Sequence, residues 1–310
     1  MQDARRRVDG PNGPILVTGA TGFIGSRLVR RLLDEGREVH GVSRARHSGE
    51  RGLTWWQTDL VDPRAVTDIV SNVQPAAVVH LAGHVWGAPD VELVRPTLEN
   101  NLLSTVNLLT AARAAGSSRV LVTGTMVEPD HGPAAGIAGS PYAMSKWAAS
   151  SYARMYHALY GLSVVILRVF MVYGPGQQDP RKLIAHTALS LLRGEPPRVS
   201  SGRWELDWVF VDDVVDAYRA ALSAEGVGGE TIDVGSGELV SMRVVLERLA
   251  DFAGTGTRPD FGTVPDRPAE LPRVADVERS SRLLGWRPST SLDEGLRRTL
   301  DWYLEHGDSL

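Results

Sequence analysis

The chain contains no cysteine. That excludes disulfides, thiolate metal sites and cysteine nucleophiles, and it suits a reducing compartment. No apolar run reaches the roughly 18 residues that a membrane-spanning helix needs, and the polar N-terminus lacks the apolar core of a secretory signal. A soluble, cytoplasmic protein without membrane contacts is therefore expected. An excess of positive charge is missing too. The 33 Lys and Arg residues stand against 37 Asp and Glu, for a formal net charge of −4, so no basic field favours nucleic acid. The one basic cluster, Arg5-Arg6-Arg7, lies in a polar stretch, residues 1–13, expected to be a disordered tail. No metal site, internal repeat or low-complexity tract is expected.

What remains is an ordinary globular composition, 43% hydrophobic and 23% charged over 310 residues. Short apolar runs alternate with helical patterns through the first half. Strands are expected at Ile15–Thr18, Glu38–Val42, Thr54–Gln57, Ala77–Leu81, Arg119–Thr123 and Ser163–Arg168. Helices are expected at Ile24–Glu35, Pro63–Val73, Leu98–Ala115 and Tyr142–Tyr160. Such alternation requires right-handed crossovers, so the fold class is α/β, a doubly wound parallel sheet. Residues 14–174 would form this domain. After a Gly/Pro/Gln loop the rhythm changes: a helix near Leu183–Arg193, a strand at Asp207–Val211, a helix from Asp213, and a last helix around Leu292–Tyr303. Residues 175–310 are expected to be mainly a smaller, discontinuous substrate lobe.

The first strand runs into Thr18-Gly19-Ala20-Thr21-Gly22-Phe23-Ile24-Gly25 and then a helix. In that context Gly19, Gly22 and Gly25 permit a tight turn, close approach of a pyrophosphate, and close helix–strand packing. The anion would sit on the N–H groups of the helix start, around Thr21, Gly22, Phe23 and Ile24. This is a Rossmann-type dinucleotide site. The second strand ends in Ser43-Arg44, with Arg46 following, where NAD-binding folds place a carboxylate for the ribose hydroxyls. A guanidinium there can hold a 2′-phosphate, so NADP is favoured and NAD remains possible. Asp59 and Leu60 close the third strand, and Leu81, Ala82 and Gly83 close the fourth, both at the ligand-binding ends of the sheet.

Ser140-Pro141-Tyr142-Ala143-Met144-Ser145-Lys146 carries a Tyr-x-x-x-Lys pair on one helix face. A nearby ammonium would favour the phenolate and bring Tyr142 closer to the range of useful proton transfer. With the glycine motif, this pair resembles the extended short-chain dehydrogenase/reductases. Leu167-Arg168-Val169-Phe170-Met171-Val172-Tyr173-Gly174-Pro175, Val209–Val214 and Leu284-Gly285-Trp286-Arg287-Pro288 resemble further segments of that family, over nearly the whole chain.

The resemblance implies catalysis by Tyr142, Lys146 and a hydroxyl from Thr125, with Thr123 in reserve and beside the cofactor. It implies a nucleotide-sugar substrate and a homodimer, and it suggests Arg203 and Arg267 as ligands of the substrate diphosphate. Several positions depart from the family pattern. Met126 and Val127 replace the Asp-Glu of the 4,6-dehydratases, which disfavours dehydration. Pro129 and Asp130 replace a Tyr-Gly pair, Met171 an asparagine, and Leu206 an arginine. The leading expectation is NADPH-dependent reduction of a 4-keto nucleotide sugar. The alternative is a 4-epimerase with retained NAD(P), and a non-catalytic NADP-sensing protein is remote.

Overall fold

A computed structural model describes residues 12–48, 51–129, 138–266 and 272–307. Most of the expected N-terminal tail, up to residue 11, therefore lies outside the described residues. The chain divides into two compact units. The first comprises Met1–Arg168, Asp216–Ile232 and Arg282–Trp286; the second comprises Val169–Val215, Asp233–Ser281 and Arg287–Leu310.

The chain opens with β1 (Ile15–Thr18), α1 (Phe23–Asp34), β2 (Val39–Ser43), β3 (Leu53–Gln57), α2 (Pro63–Val73) and β4 (Ala77–His80). It continues with α3 (Val94–Thr97), a π-helical turn over Leu98–Leu103, α4 (Ser104–Ala114), β5 (Arg119–Thr125), α5 (Pro141–Tyr160) and β6 (Val164–Val169). Then follow β7 (Met171–Tyr173), α6 (Leu183–Leu192), β8 (Arg198–Val199), β9 (Glu205–Phe210) and α7 (Val211–Ser223). The remaining elements are β10 (Thr231–Val234), β11 (Leu239–Ser241), α8 (Met242–Ala253), β12 (Asp260–Phe261), α9 (Val277–Leu284) and α10 (Leu292–His306).

The main sheet has the order β10-β6-β5-β4-β1-β2-β3, and β1 pairs parallel with both β2 and β4. The order reverses between β1 and β4, which is the crevice where a doubly wound sheet takes its ligand. The fold is thus the Rossmann-type arrangement expected from the alternation. Every residue of β1 and β4 is buried, as a strand covered by helices on both faces requires. One core layer gathers Leu16, Val66, Ile69, Val78, Leu108, Val120 and Ile166. Leu108 and Leu109 are fully buried; each such side chain contributes about 1.5–3 kcal/mol.

Helix starts follow from local chemistry. Asp62 caps α2 by accepting from the amides of Arg64 and Ala65, and Pro63 fills the first helical position. Ser140 caps α5 through the Ala143 amide, Pro141 follows, and Gly161 closes the helix at φ 67°. That start places Tyr142 in the first turn and Lys146 one turn later.

Several boundaries differ from the sequence reading, most by one or two residues. The single helix expected over Leu98–Ala115 is a π turn followed by α4, because apolar spacing cannot separate i→i+5 from i→i+4 bonding. Strand β5 extends two residues past Thr123, carrying Thr125 within it. Helix α7 begins at Val211, two residues before the expected Asp213.

The second unit contains the sheet β11-β9-β7 and the pair β12-β8. Asp207, fully buried on β9, accepts from the amides of Ser236, Gly237 and Ala275 and from the Ser236 hydroxyl. These bonds fix two loops on one carboxylate and satisfy its buried charge. Among the described residues, no helix is long and apolar enough to cross a membrane.

Candidate active site

The loop between β1 and α1 is shaped for an anion. Gly19 has φ +66°, and the Gly22 amide donates to its carbonyl at 2.9 Å. A Cβ on Gly19 would sit 2.6 Å from the Ala82 nitrogen, and one on Gly25 would collide with the Gly19 carbonyl. Only glycine therefore permits this approach of β1, α1 and the chain after β4. Helix α1 has no side-chain cap and no acidic residue in its first turn, so its N-terminus keeps its positive end for a phosphate. Thr21 is exposed, Phe23 is buried and Ile24 is half-buried in that first turn. These residues fit a dinucleotide pyrophosphate.

Ser43 ends β2, and its Oγ accepts from the Ala45 amide at 3.1 Å. Arg44 is exposed, and its carbonyl takes a bond from Gln57 Nε2 at 3.2 Å. No Asp or Glu occurs in the sequence from Ser43 to Ser48. Asp59 is exposed, with Oδ1 accepting from the Val61 amide. The Leu60 carbonyl is held by Asn107 Nδ2 at 2.9 Å.

After β4, Leu81 and Ala82 are half-buried and Gly83 is exposed. The Ala82 amide donates to Thr18 Oγ1 at 3.2 Å. A Cβ on Gly83 would lie 2.8 Å from Asn101 Oδ1. Asn101, in the π turn, clamps the next peptide: Oδ1 accepts from the His84 amide at 2.6 Å, and Nδ2 donates to the His84 carbonyl at 3.1 Å. The same Nδ2 donates to Ser145 Oγ at 2.9 Å, and Ser145 donates to the Tyr142 carbonyl.

Thr125, Tyr142, Lys146 and Thr123 meet at the C-terminal end of β5. Thr125 is buried, and its hydroxyl hydrogen-bonds the Tyr142 phenol. Lys146 is buried and donates from Nζ to the Thr123 carbonyl at 2.8 Å. The Thr123 hydroxyl donates to the His80 carbonyl at 2.7 Å, so the Tyr218 hydroxyl, 2.6 Å away, must be the donor to it. Both Thr123 oxygens are thus committed inside the protein.

Electrostatics differ from the sequence expectation. Burial pushes the Tyr142 phenol up to about 12; the Thr125 hydrogen bond pulls it back, and the Glu128 charge pushes it further. Lys146, expected to lower Tyr142, donates one hydrogen bond to the Thr123 carbonyl. Burial brings Lys146 itself down to about 8, against the charge of Glu128. The spacing had placed phenol and ammonium on one face; it could not show which group the ammonium meets.

Four residues of this region were given no role of their own by the sequence: His80, Asn101, Glu128 and Tyr218. Each acts through a contact distant in sequence or through burial, and no local pattern announces it. Of the two expected diphosphate ligands, Arg203 is exposed in the second unit, with its amide donating to Ser201 Oγ. Arg267 lies outside the described residues. Leu206 is fully buried on β9. Among the described residues no group of three His, Asp or Glu side chains is placed to hold a metal.

A family model, the NAD dependent epimerase/dehydratase family, matches residues 15–235. The chain is 34% identical to a UDP-glucose 4-epimerase of Mycolicibacterium smegmatis, covering 93% of this chain and 97% of that protein. It is 32% identical to a dTDP-glucose 4,6-dehydratase of Neisseria gonorrhoeae, covering 94% and 96%. The crystal structure of Thermus thermophilus UDP-glucose 4-epimerase in complex with NAD superposes with a TM-score of 0.82 at 30% identity, covering 94% of this chain and 99% of that one.

Proposed function

We propose that this chain, which belongs to the NAD dependent epimerase/dehydratase family, is a nucleotide-sugar 4-epimerase that inverts C4 of a UDP-linked hexose with a retained nicotinamide dinucleotide. The observation that carries this reading is the set at the end of β5: Thr125 bonded to Tyr142, Lys146 buried beside them, and Met126 and Val127 following. The first three serve oxidation and re-reduction at an alcohol carbon. Methionine and valine can transfer no proton, so the acid and base that elimination of water demands are absent from those places. The neighbouring Glu128 is no substitute, because its Oε1 accepts from the Thr125 amide at 2.8 Å. The identity to a UDP-glucose 4-epimerase supports the same reading, and it displaces 4-ketoreduction from first place.

A bound dinucleotide supplies reversible hydride transfer at its nicotinamide ring. The chain's own residues do the rest. Tyr142 takes the proton of the C4 hydroxyl and returns it to the same oxygen once C4 has been re-reduced from its opposite face. Thr125 orients that oxygen, and buried Lys146 holds positive charge beside the phenol while it lacks its proton. Hydride removed from C4 would be returned to C4, and the proton to its oxygen, so the sugar shows no net change of oxidation state.

A second reading is favoured by one observation. Ser43 and Arg44 end β2 where a carboxylate would mark NAD, and they support NADP and with it the 4-ketoreductase. Supplying a pair of UDP-hexoses that differ only at C4 separates the two. Interconversion without added cofactor is expected; stoichiometric loss of NADPH with a 4-keto sugar nucleotide, and no interconversion, would establish the reductase instead. On the cofactor itself, NADPH is expected to bind at least about tenfold more tightly than NADH, about 1.4 kcal/mol. Arg44→Asp should reverse that order, and equal binding to the wild type in fluorescence titration would refute the Arg44 assignment.

A homodimer completes the reading. Val91, Val94 and Leu98 before and within the π turn, and Met144 and Tyr152 on α5, all expose apolar surface. Sedimentation should show twice the chain mass, and Leu98→Asp should shift it toward the monomer.

A further inference from the structure

Glu128 is a buried carboxylate that the catalytic scheme above does not use. It holds both main-chain groups of Thr125: Oε1 accepts from the Thr125 amide at 2.8 Å, and the Glu128 amide donates to the Thr125 carbonyl at 3.1 Å. The side chain lies against the strand end so closely that a Cβ on Gly124 would sit 2.8 Å from the same oxygen. Gly124 is therefore the residue that admits the carboxylate. Its charge acts on Tyr142 and Lys146 and, farther along α5, on Arg154, which also feels Arg168 of β6. His80 on β4 faces Lys146, and Tyr218 on α7 faces Tyr142; the first is neutral and the second a phenol. One carboxylate thus stands among three cations, and among the described residues it is the acid whose charge acts on both Tyr142 and Lys146.

We infer that Glu128 is a positioning residue of this site: it clamps the turn that presents the Thr125 hydroxyl to Tyr142, and it supplies the negative charge that keeps Lys146 an ammonium. The inference rests on the assignment of Thr125, Tyr142 and Lys146 to the reaction made above. The two roles separate by substitution. Glu128→Gln keeps an acceptor for the Thr125 amide and removes the charge; Glu128→Ala removes both.

The direct test needs no substrate. The chain has only two lysines, Lys146 and Lys182, so protein grown on 13C-lysine gives two side-chain signals, assigned by Lys182→Arg. In the wild type the Lys146 signal is expected to titrate at about 8. In Glu128→Gln its midpoint should fall by about one pH unit, because burial then acts unopposed. An unmoved midpoint in Glu128→Gln overturns the inference, whatever reaction the enzyme proves to catalyse. With a nucleotide-sugar substrate, Glu128→Ala should lower kcat at least about tenfold with a smaller change in KM, as loss of an oriented hydroxyl does. Glu128→Gln should recover most of that kcat, with its pH–rate profile displaced to lower pH. A profile that keeps its position in Glu128→Gln counts against the charge role, and failure of Gln to rescue kcat counts against the clamp.

Discussion

Tyr142→Phe is expected to lower turnover by about 10²- to 10⁴-fold, the usual worth of a general acid–base. The argument is geometric. The phenol shares a hydrogen bond with Thr125, and Thr125 is held by the backbone ring that closes on Glu128. Removing one oxygen leaves the ring of Tyr142, the Ser140 cap and the Lys146–Thr123 bond in place. Folding and dinucleotide binding should therefore persist, and the loss should fall on kcat. The raised proton affinity of Tyr142 makes its phenolate a strong base once formed, although burial disfavours forming it. Steady-state rates of the variant against the wild type test this, with fluorescence titration of the dinucleotide as the control. A variant that keeps more than half of the wild-type rate removes Tyr142 from the mechanism.

The elements that carry this site were largely legible in the sequence, for a physical reason. β1 and α2 fall on their expected residues because one is a continuous apolar run before glycine and the other opens on an Asp-Pro cap. Tyr142 and Lys146 were legible because a helix fixes which side chains share a face. The π turn was not legible, since its apolar spacing also suits an α-helix, yet that turn carries Asn101 to the His84 peptide. The roles of Glu128 and His80 were not legible for another reason. Their roles arise from partners and burial that only the folded sheet assembles, so the sequence supplied the residues without their meaning. The cofactor end shows the converse case: Ser43 and Arg44 are chemically explicit in the sequence, and the structure adds only the local bonds that hold them.

His80 should make the fold sensitive to acid, and replacing it should remove that sensitivity. Its protonation state follows from the hydrogen-bond directions around it. Thr105 donates its only hydroxyl proton to the Asn101 carbonyl at 2.5 Å, so it must accept from His80 Nε2, 3.0 Å away. His80 Nδ1 is then the acceptor for the Thr18 hydroxyl at 2.7 Å, and Thr18 in turn accepts from the Ala82 amide. One neutral tautomer thus links the chain after β4 to the π turn, with every member satisfied. Burial, helped by the charge of Lys146, lowers this imidazole to about 3. In the unfolded chain it would titrate near its ordinary value of 6.5. Between those values the unfolded state binds a proton that the folded state refuses, so stability falls as pH falls through that window and levels below it. The loss approaches about 1.4 kcal/mol per pH unit, or about 2–3 kcal/mol by about pH 4.5. His80→Gln keeps a donor toward Thr105 and cannot take up the proton. Its stability at neutral pH should drop with the lost Thr18 bond, but its stability should decline less steeply between about pH 6 and 4. Urea unfolding across that range gives both slopes, and parallel slopes for the two proteins would show that His80 is not the group that refuses the proton.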